Sequence, residues 1–349
     1  MPTDRTPAVS VVVLNYNGAR WIERCLASLK AQTINAEIEI IVADNVSSDG
    51  SEKTAEQFIK DWPNARFIQH GTNQGYAEGN NLAIANARGE YLFIFNNDAW
   101  LEPDCLEILL RTTREQGAGA SMPLVMNFDD DTFQSLGAEG FDIFGLASTR
   151  KQFTATREIF MPDGCAWLVE RKLYADLGGM DKEIFMYSDE YDFSFRLWIA
   201  GRKAIAVPAA RMHHRGAANV NPKGDAQVVE FRTSDTKRFY ANRNGLMVLL
   251  KSGQHLVLMM ALLQAGMLVV EALAALLFVR RWSFVRKAYI HAFGDVWRLR
   301  HHIAAERQRI QSYRKHGDFW LLRFLRWRPN RLDEIQRTMK HGAPKVTSG

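Results

Sequence analysis

Three runs in the first hundred residues, VSVVVLN (9–15), IEIIVAD (38–44) and YLFIFN (91–96), are almost unbroken stretches of apolar, mainly β-branched and aromatic side chains. A strand wetted on one face alternates apolar and polar residues. Continuous runs of this length mark strands buried on both faces, the condition of a parallel sheet covered by helices. A weaker run, ARFIQH (65–70), lies between the second and third. The intervening segments near 19–31, 51–61 and 76–87 read as helices. In the first, Trp21, Ile22, Cys25, Leu26 and Leu29 form one stripe at spacings of three and four. Strand alternating with helix predicts an α/β chain with a doubly wound, mostly parallel sheet.

In such sheets ligands bind beyond the carboxyl ends of the strands. Here those ends carry Asn15-Tyr16-Asn17, Asp44-Asn45 and Asn96-Asn97-Asp98. Each end alone is ordinary turn chemistry, but three polar ends on one rim point to a site. The segment HGTNQGYAEGNN places glycines at 71, 75 and 79, which is neither a dinucleotide G-x-G-x-x-G nor a P-loop. Hydride transfer and ATP hydrolysis therefore lose their main support. Downstream, ASMPLVMNF and CAWLVE read as strands, 127–160 as a long Gly- and Asp-containing connection, DEYDFSFRLWIAG (189–201) as a helix stopped by Gly201, and KAIAVP as a short strand.

The last hundred residues change character. Residues 256–279 form a 24-residue run interrupted only by Gln264, Gly266 and Glu271. As a helix it would reach roughly 36 Å, against about 30 Å of bilayer hydrocarbon. Between Arg280 and Arg331 stand 14 Lys or Arg against Asp295, Glu306 and Asp318, a local +11 in a chain whose total is +5, so the remainder carries −6. Such asymmetry predicts a basic surface that meets phosphate groups. Cys25, Cys105 and Cys165 are few and widely spaced, which predicts reduced thiols in a cytosolic compartment. The polar start MPTDRTPAVS has no apolar core of a secretory signal.

Six segments carry a resemblance: VVVLNYNGARWIERCLASL, IIVADNVSSDGS, NQGYAEGNNLAIANARGEYLFIFNND, GGMDKEIFMYSDEYDFSFRLWIAG, HHRGA and FYANRN. In order and spacing, over roughly residues 9–245, they resemble the inverting glycosyltransferases of family 2, whose fold is GT-A, and most closely the bacterial rhamnosyltransferase branch of cell-surface polysaccharide synthesis. The resemblance implies a catalytic domain over 1–245 and a helical, apolar-then-basic region over 246–349. It implies a nucleotide-sugar donor (dTDP- or UDP-linked) held by Asn15, Tyr16, Asn17, Asp44, Gly75, Asn80, Asn96 and Asn97. It further implies Mg²⁺ or Mn²⁺ at Asp98 and His214, and an acceptor side formed by Gly164 and Trp167.

The chemistry is consistent with those assignments. A diphosphate leaving group needs its developing charge neutralised, and a divalent cation gripped by a carboxylate does this. The family commonly has Asp-x-Asp where this chain has Asn96-Asn97-Asp98, so a single carboxylate would hold the metal. Asp129 and Asp131 in FDDD satisfy Asp-x-Asp literally, but in the long loop, and His213 stands beside His214 as an alternative. The family's Glu-Asp-x-Asp is here Asp189-Glu190-Tyr191-Asp192. By position Glu190 is the base that deprotonates the acceptor hydroxyl, with Asp189 as its competitor.

For the tail, a membrane span would put 14 basic residues on the far side, against the positive-inside tendency. Helices lying in the interface on the cytoplasmic face of the inner membrane are expected instead, peripheral or monotopic. That placement suits a polyprenyl-diphosphate-linked glycan acceptor. A simple span and a homodimer-forming core helix remain open. Two other classes also remain: a catalytically inactive sugar-nucleotide-binding protein, and a basic nucleic-acid-binding protein, although no nucleic-acid recognition motif is present.

Overall fold

A computed structural model describes residues 6–148, 152–216 and 232–332, together with Gln336 and 345–347. Of the six segments, Ala217 at the end of HHRGA lies outside the described residues. The chain divides into two compact units. One comprises residues 1–137, 150–193 and 202–216; the other comprises 138–149, 194–201 and 217–349.

The first unit is built on one sheet. Its elements are β1 (Val9–Asn15), α1 (Ile22–Lys30), β2 (Ile38–Asp44), α2 (Ser51–Ile59), β3 (Ala65–Gln69), α3 (Gly75–Ile84), β4 (Tyr91–Asn96), β5 (Ala99–Leu101), α4 (Cys105–Glu115) and β6 (Ala120–Asn127). There follow β7 (Phe133–Ser135), β8 (Arg157–Ile159), β9 (Ala166–Glu170), α5 (Arg171–Asp176), the start of α6 (Asp189–Ile199) and β10 (Ala204–His214). Among the described residues the strand order is β3-β2-β1-β4-β9-β6-β10-β5, with β7 on β6 and β8 on β10. The three near-continuous runs and the weaker ARFIQH run make the parallel set β3-β2-β1-β4. Val11, Val12, Val13, Ile41, Val42, Phe93 and Ile94 are all fully buried there. Each such side chain is worth about 1.5–3 kcal/mol of transfer from water.

β9 runs antiparallel to both β4 and β6, while β6 and β10 pair in parallel. The sheet is therefore mixed. Two reversals restore direction, so β4, β6 and β10 all end on the same rim, and β9 begins there. β10 is also longer than the short KAIAVP strand expected. It continues through a bulge between Val207 and Arg211 as far as His214. The bulge absorbs Pro208, which cannot donate to a ladder, and re-aims the second half of the strand.

The second unit is helical. α7 (Asp235–Ser252) is capped by the Ser234 hydroxyl, which accepts from the Lys237 N–H, and α8 (Leu256–Phe278) follows it. Residue 245 falls inside α7, where Gly245 lets α8 approach: a Cβ there would lie 2.7 Å from Gln264 Nε2. The α7–α8 turn is closed by charges of the expected sign. Asp318 Oδ2 accepts from the Gln254 and Val257 N–H groups at the start of α8 (2.9 Å each), and Arg307 and Arg314 donate to carbonyls at the end of α7. On α8, Val257, Met260, Ala261, Gln264 and Leu268 are buried, while Leu262, Val270, Leu273, Leu277 and Phe278 stand exposed. Glu271 is paired with Arg331 at 2.7 Å. Both polar side chains of the apolar run are thus taken up within the unit, and the outward stripe is wholly apolar.

Candidate active site

The rim of the sheet collects most of the predicted residues, and strand register explains how. Asn15 and Asp44 are register partners on β1 and β2. Asn15 Nδ2 donates to Asp44 Oδ1 at 2.8 Å, and Asn97 Nδ2 donates to Asn15 Oδ1 at 2.7 Å, so three strand ends are tied in one chain. Gly18 makes room for this knot, since a Cβ there would sit 2.2 Å from Asn97 Nδ2. Asp44 is fully buried and also accepts from the Ser47 N–H and hydroxyl and from Gln69 Nε2. Burial works against its charge, but the hydrogen bonds from Ser47, Gln69 and Asn15 outweigh it and hold the carboxyl below its ordinary range. Asn17, at a φ of 50°, accepts from the Ser48 N–H, and Tyr16 beside it is exposed. Asp44 therefore organises the rim, and Tyr16 and Asn17 present it to solvent.

Asp98 follows directly on Asn97, and β5 begins one residue later. β5 pairs antiparallel with the end of β10, matching Ala99 with His214 and Trp100 with His213, and Arg215 N–H donates to the Asp98 carbonyl. That register sets the two side chains together. His214 Nε2 stands 3.3 Å from Asp98 Oδ1, a buried oxygen with no hydrogen-bond partner. Burial would raise the Asp98 pKa, but the charge of His214 and the Asn96 amide lower it. Burial likewise presses His214 toward neutrality, and Cys165 and Asp98 beside it overcome that and raise its pKa well above the histidine range.

Strand alternation decides between the two histidines. His213 points to the opposite face, stacked on Trp100 at 3.7 Å with its Nδ1 3.1 Å from the Asn127 carbonyl. It is a packing residue. Asp129 and Asp131 lie exposed in the turn after β6. Among the described residues there is no cluster of three or more His, Cys, Asp or Glu side chains placed to share a metal. Asp98 and His214 alone would leave most coordination positions to phosphate and water oxygens, as Mg²⁺ and Mn²⁺ sites on nucleotides commonly do.

The acids of α6 reach the same end of the sheet through β9. Asn96 N–H donates to the Cys165 carbonyl, and the neighbouring Gly164 faces Glu190: a Cβ on Gly164 would lie 3.5 Å from the carboxylate. Tyr76, in the first turn of α3, hydrogen-bonds the Gly164 carbonyl. Glu190 is partly exposed, whereas Asp189 is buried with Oδ2 unpartnered. Burial, followed by the charge of Glu190, holds Asp189 well above the usual carboxyl range. Trp167 does not line an acceptor surface. It is 1% exposed and packs on Tyr174 and Phe193 in the core, because position 167 on β9 points inward. Asn80 is also fully buried, with Nδ2 on the Tyr76 carbonyl and Oδ1 unpartnered.

Sequence reasoning missed the loop that carries these acids. Phe185, Tyr187 and Ser188 all have positive φ (62°, 64° and 67°), each a strain of about 1–3 kcal/mol for a non-glycine residue. The Phe185 carbonyl accepts from the Tyr76 and Ala77 N–H groups and so caps α3. Gly75, at φ 73°, permits the contact, since a Cβ would fall 2.5 Å from that carbonyl oxygen. No residue type in EIFMYS signals such a turn. Tyr76, Cys165 and Gln134 were missed as well. Only the length of the 127–160 connection hinted at Gln134.

Residues 10–178 match the family described as glycosyl transferase family 2. The chain carries a family 2 glycosyltransferase domain. It is 27% identical over 269 residues to the N-acetylglucosaminyl-diphospho-decaprenol L-rhamnosyltransferase of Mycobacterium tuberculosis, covering 68% of this chain and 86% of that one. It is 40% identical over 111 residues to EpsH of Bacillus subtilis, an alignment that spans only 32% of either chain. Among solved structures, S. aureus TarS superposes with a TM-score of 0.54 at 16% identity, over 87% of this chain and 88% of that one. GalNAc-T7 with UDP, GalNAc and Mn²⁺ gives 0.57 at 17% identity, over 72% and 49%. At those identities the likeness concerns the fold. The family 2 domain has the GT-A arrangement, a mixed, mostly parallel sheet flanked by helices, and a helical region follows it.

Proposed function

We propose that this chain is a metal-dependent, inverting glycosyltransferase that moves a sugar, L-rhamnose from a dTDP-linked donor, onto a polyprenyl-diphosphate-linked glycan. The observation that carries the reading is the Asp98–His214 pair on the sheet rim. The Asp98 carboxyl, its pKa lowered, and the His214 ring, its pKa raised, lie 3.3 Å apart, and Asp98 Oδ1 is buried with no hydrogen-bond partner, a place that favours positive charge. A proton meets that demand in the free protein. A divalent cation there would act as a Lewis acid on the leaving diphosphate.

The chain's own residues supply the rest. Tyr16 and Asn17 offer an exposed edge for the base and ribose, on a loop held by Asp44. Glu190 accepts the proton of the acceptor hydroxyl. The hydroxyl oxygen attacks the anomeric carbon from the face opposite the diphosphate, the anomeric C–O bond breaks, and the nucleoside diphosphate departs with that electron pair. Configuration is inverted. Burial and the neighbouring Glu190 raise the Asp189 pKa well above its ordinary value, which favours placing the pair's proton on Asp189 and leaving Glu190 as the base. The mycobacterial relative's decaprenyl-diphosphate substrate supports the choice of a lipid-linked acceptor.

The second unit supports a lipid-surface placement at the cytoplasmic face. Leu262 (74% exposed), Phe278 (78%) and Trp327 (81%) stand outward, and the exposed Arg280, Arg281 and Arg328 follow Phe278 and Trp327 closely in sequence. By length and composition α8 is the one helix among the described residues that could cross a membrane. Its buried, polar-containing second face favours lying in the interface over spanning.

Two experiments test the proposal. Mn²⁺-dependent binding should be strongest for a dTDP- or UDP-sugar in a screen that includes GDP-sugars, and no nucleotide-sugar binding would end the reading. Leu262→Glu with Leu273→Glu should release the protein from anionic vesicles without unfolding it, because both side chains are already exposed. Unchanged co-sedimentation would remove the lipid-surface part alone.

A further inference from the structure

We propose that Gln134 is a positioning residue that fixes the tautomer of His214 and aims its Nε2 at the cation site shared with Asp98. The proposal rests on the metal-dependent reading above. His214 Nδ1 lies 2.9 Å from Gln134 Oε1. Which atom donates follows from the far side of the glutamine. Gln134 Nε2 lies 3.1 Å from the His214 backbone carbonyl, which can only accept, so Nε2 is the amide nitrogen and Oε1 the acceptor.

The same amide group donates to Asn127 Oδ1 at 3.1 Å, and Asn127 is oriented in turn. Its Nδ2 donates to Thr132 Oγ1 at 2.6 Å, and the Thr132 hydroxyl donates to the Asp130 carboxylate. The relay runs Asp130, Thr132, Asn127, Gln134, His214, and each direction is set by the group before it. In the neutral ring, the form that can ligate a metal, the one proton therefore sits on Nδ1 and the lone pair on Nε2, the nitrogen 3.3 Å from Asp98 Oδ1. A histidine ligand whose second nitrogen is tied to an acceptor is held in tautomer and orientation, and loss of such a partner typically weakens metal affinity about 10–100-fold. The relay also gives the acidic turn FDDD a role: Asp130, exposed, anchors its far end by accepting from the Thr132 hydroxyl.

The test has two readouts besides turnover. In the wild-type chain with ¹⁵N-labelled histidine, long-range ¹H–¹⁵N spectra at a pH that keeps the ring neutral should show His214 protonated at Nδ1. Protonation at Nε2 would overturn the assignment, whatever the variants do. In Mn²⁺ titrations followed by electron paramagnetic resonance, Gln134→Leu should bind roughly 10–100-fold more weakly than wild type. Gln134→Glu, which keeps an acceptor for Nδ1–H, should retain most of the affinity. Gln134→Leu within about twofold of wild type, while His214→Ala loses binding, would overturn the role of Gln134 alone. A wild-type chain that binds Mn²⁺ no better than His214→Ala would overturn the metal reading and this proposal with it.

Discussion

The two rims of the sheet hold buried carboxylates in different conditions. At the amino end Ser10 and Glu39 are register partners, and at the carboxyl end Asn15 and Asp44 are. Glu39 is buried and closed: Oε1 accepts from the Ser10 hydroxyl and the Arg88 N–H at 2.6 Å each, and Oε2 from Arg66 at 2.6 Å and Arg88 at 3.2 Å. Asp44 is closed in the same way. One strand further along the carboxyl rim, Asp98 is nearly as buried, yet one oxygen has no hydrogen bond and a histidine is its neighbour. A native fold satisfies most buried polar atoms, and Asp98 Oδ1 is one of several among the described residues left without a hydrogen bond, set apart by the histidine beside it on the carboxyl rim. Both ends are polar; only one is left open.

The largest effect that would break this contrast lies at the open end. Glu190→Gln should lower turnover by about 10²–10⁴-fold, the usual contribution of a general base, with donor binding close to normal. Activity surviving intact in that variant would leave the α6 acids with a structural role like that of Glu39. Next in size is an exchange between the ends. Glu39→Gln strands donors that now meet a carboxylate and should cost about 2–3 kcal/mol in urea unfolding, with Mn²⁺ affinity unchanged. Asp98→Asn should do the reverse, losing Mn²⁺ affinity at a smaller cost in stability. If the two variants traded those outcomes, closure would not separate structure from chemistry here.

The closed and open ends were not equally legible in the sequence. The parallel half of the sheet is written in its unbroken apolar runs, and the polar strand ends Asn15, Asp44 and Asp98 follow from them. The mixed half is not. CAWLVE reads as a strand in either direction, and its antiparallel insertion between β4 and β6 depends on partners far along the chain. KAIAVP reads as short because the bulge at Pro208 breaks its alternation before the strand resumes toward the histidines. Parity along that resumed strand sets His214 beside Asp98 and His213 against Trp100, and parity cannot be counted through an unseen bulge. Trp167 was misplaced for a related reason, since an aromatic beside a site glycine looks the same whether its strand turns it inward or outward.

The smallest expected effect sharpens the contrast within the open end itself. Burial and the charge of Glu190 raise the folded-state pKa of Asp189 well above its ordinary value. In the unfolded chain an aspartate titrates near 3.9. Between those two values the folded protein holds a proton that the unfolded chain has released. The stabilising contribution of protonated Asp189 is therefore complete below about pH 3.9 and is lost as pH rises through the folded value. Asp189→Asn cannot ionise, so its stability should lack that decline and should exceed wild type on the alkaline side of the window. Urea midpoints measured for both proteins across a pH series would show it as a difference in slope. Parallel slopes would mean that Asp189 is ionised like Glu39, and the assignment of Glu190 as the ionised member of the pair would fall with the proton that Asp189 was thought to keep.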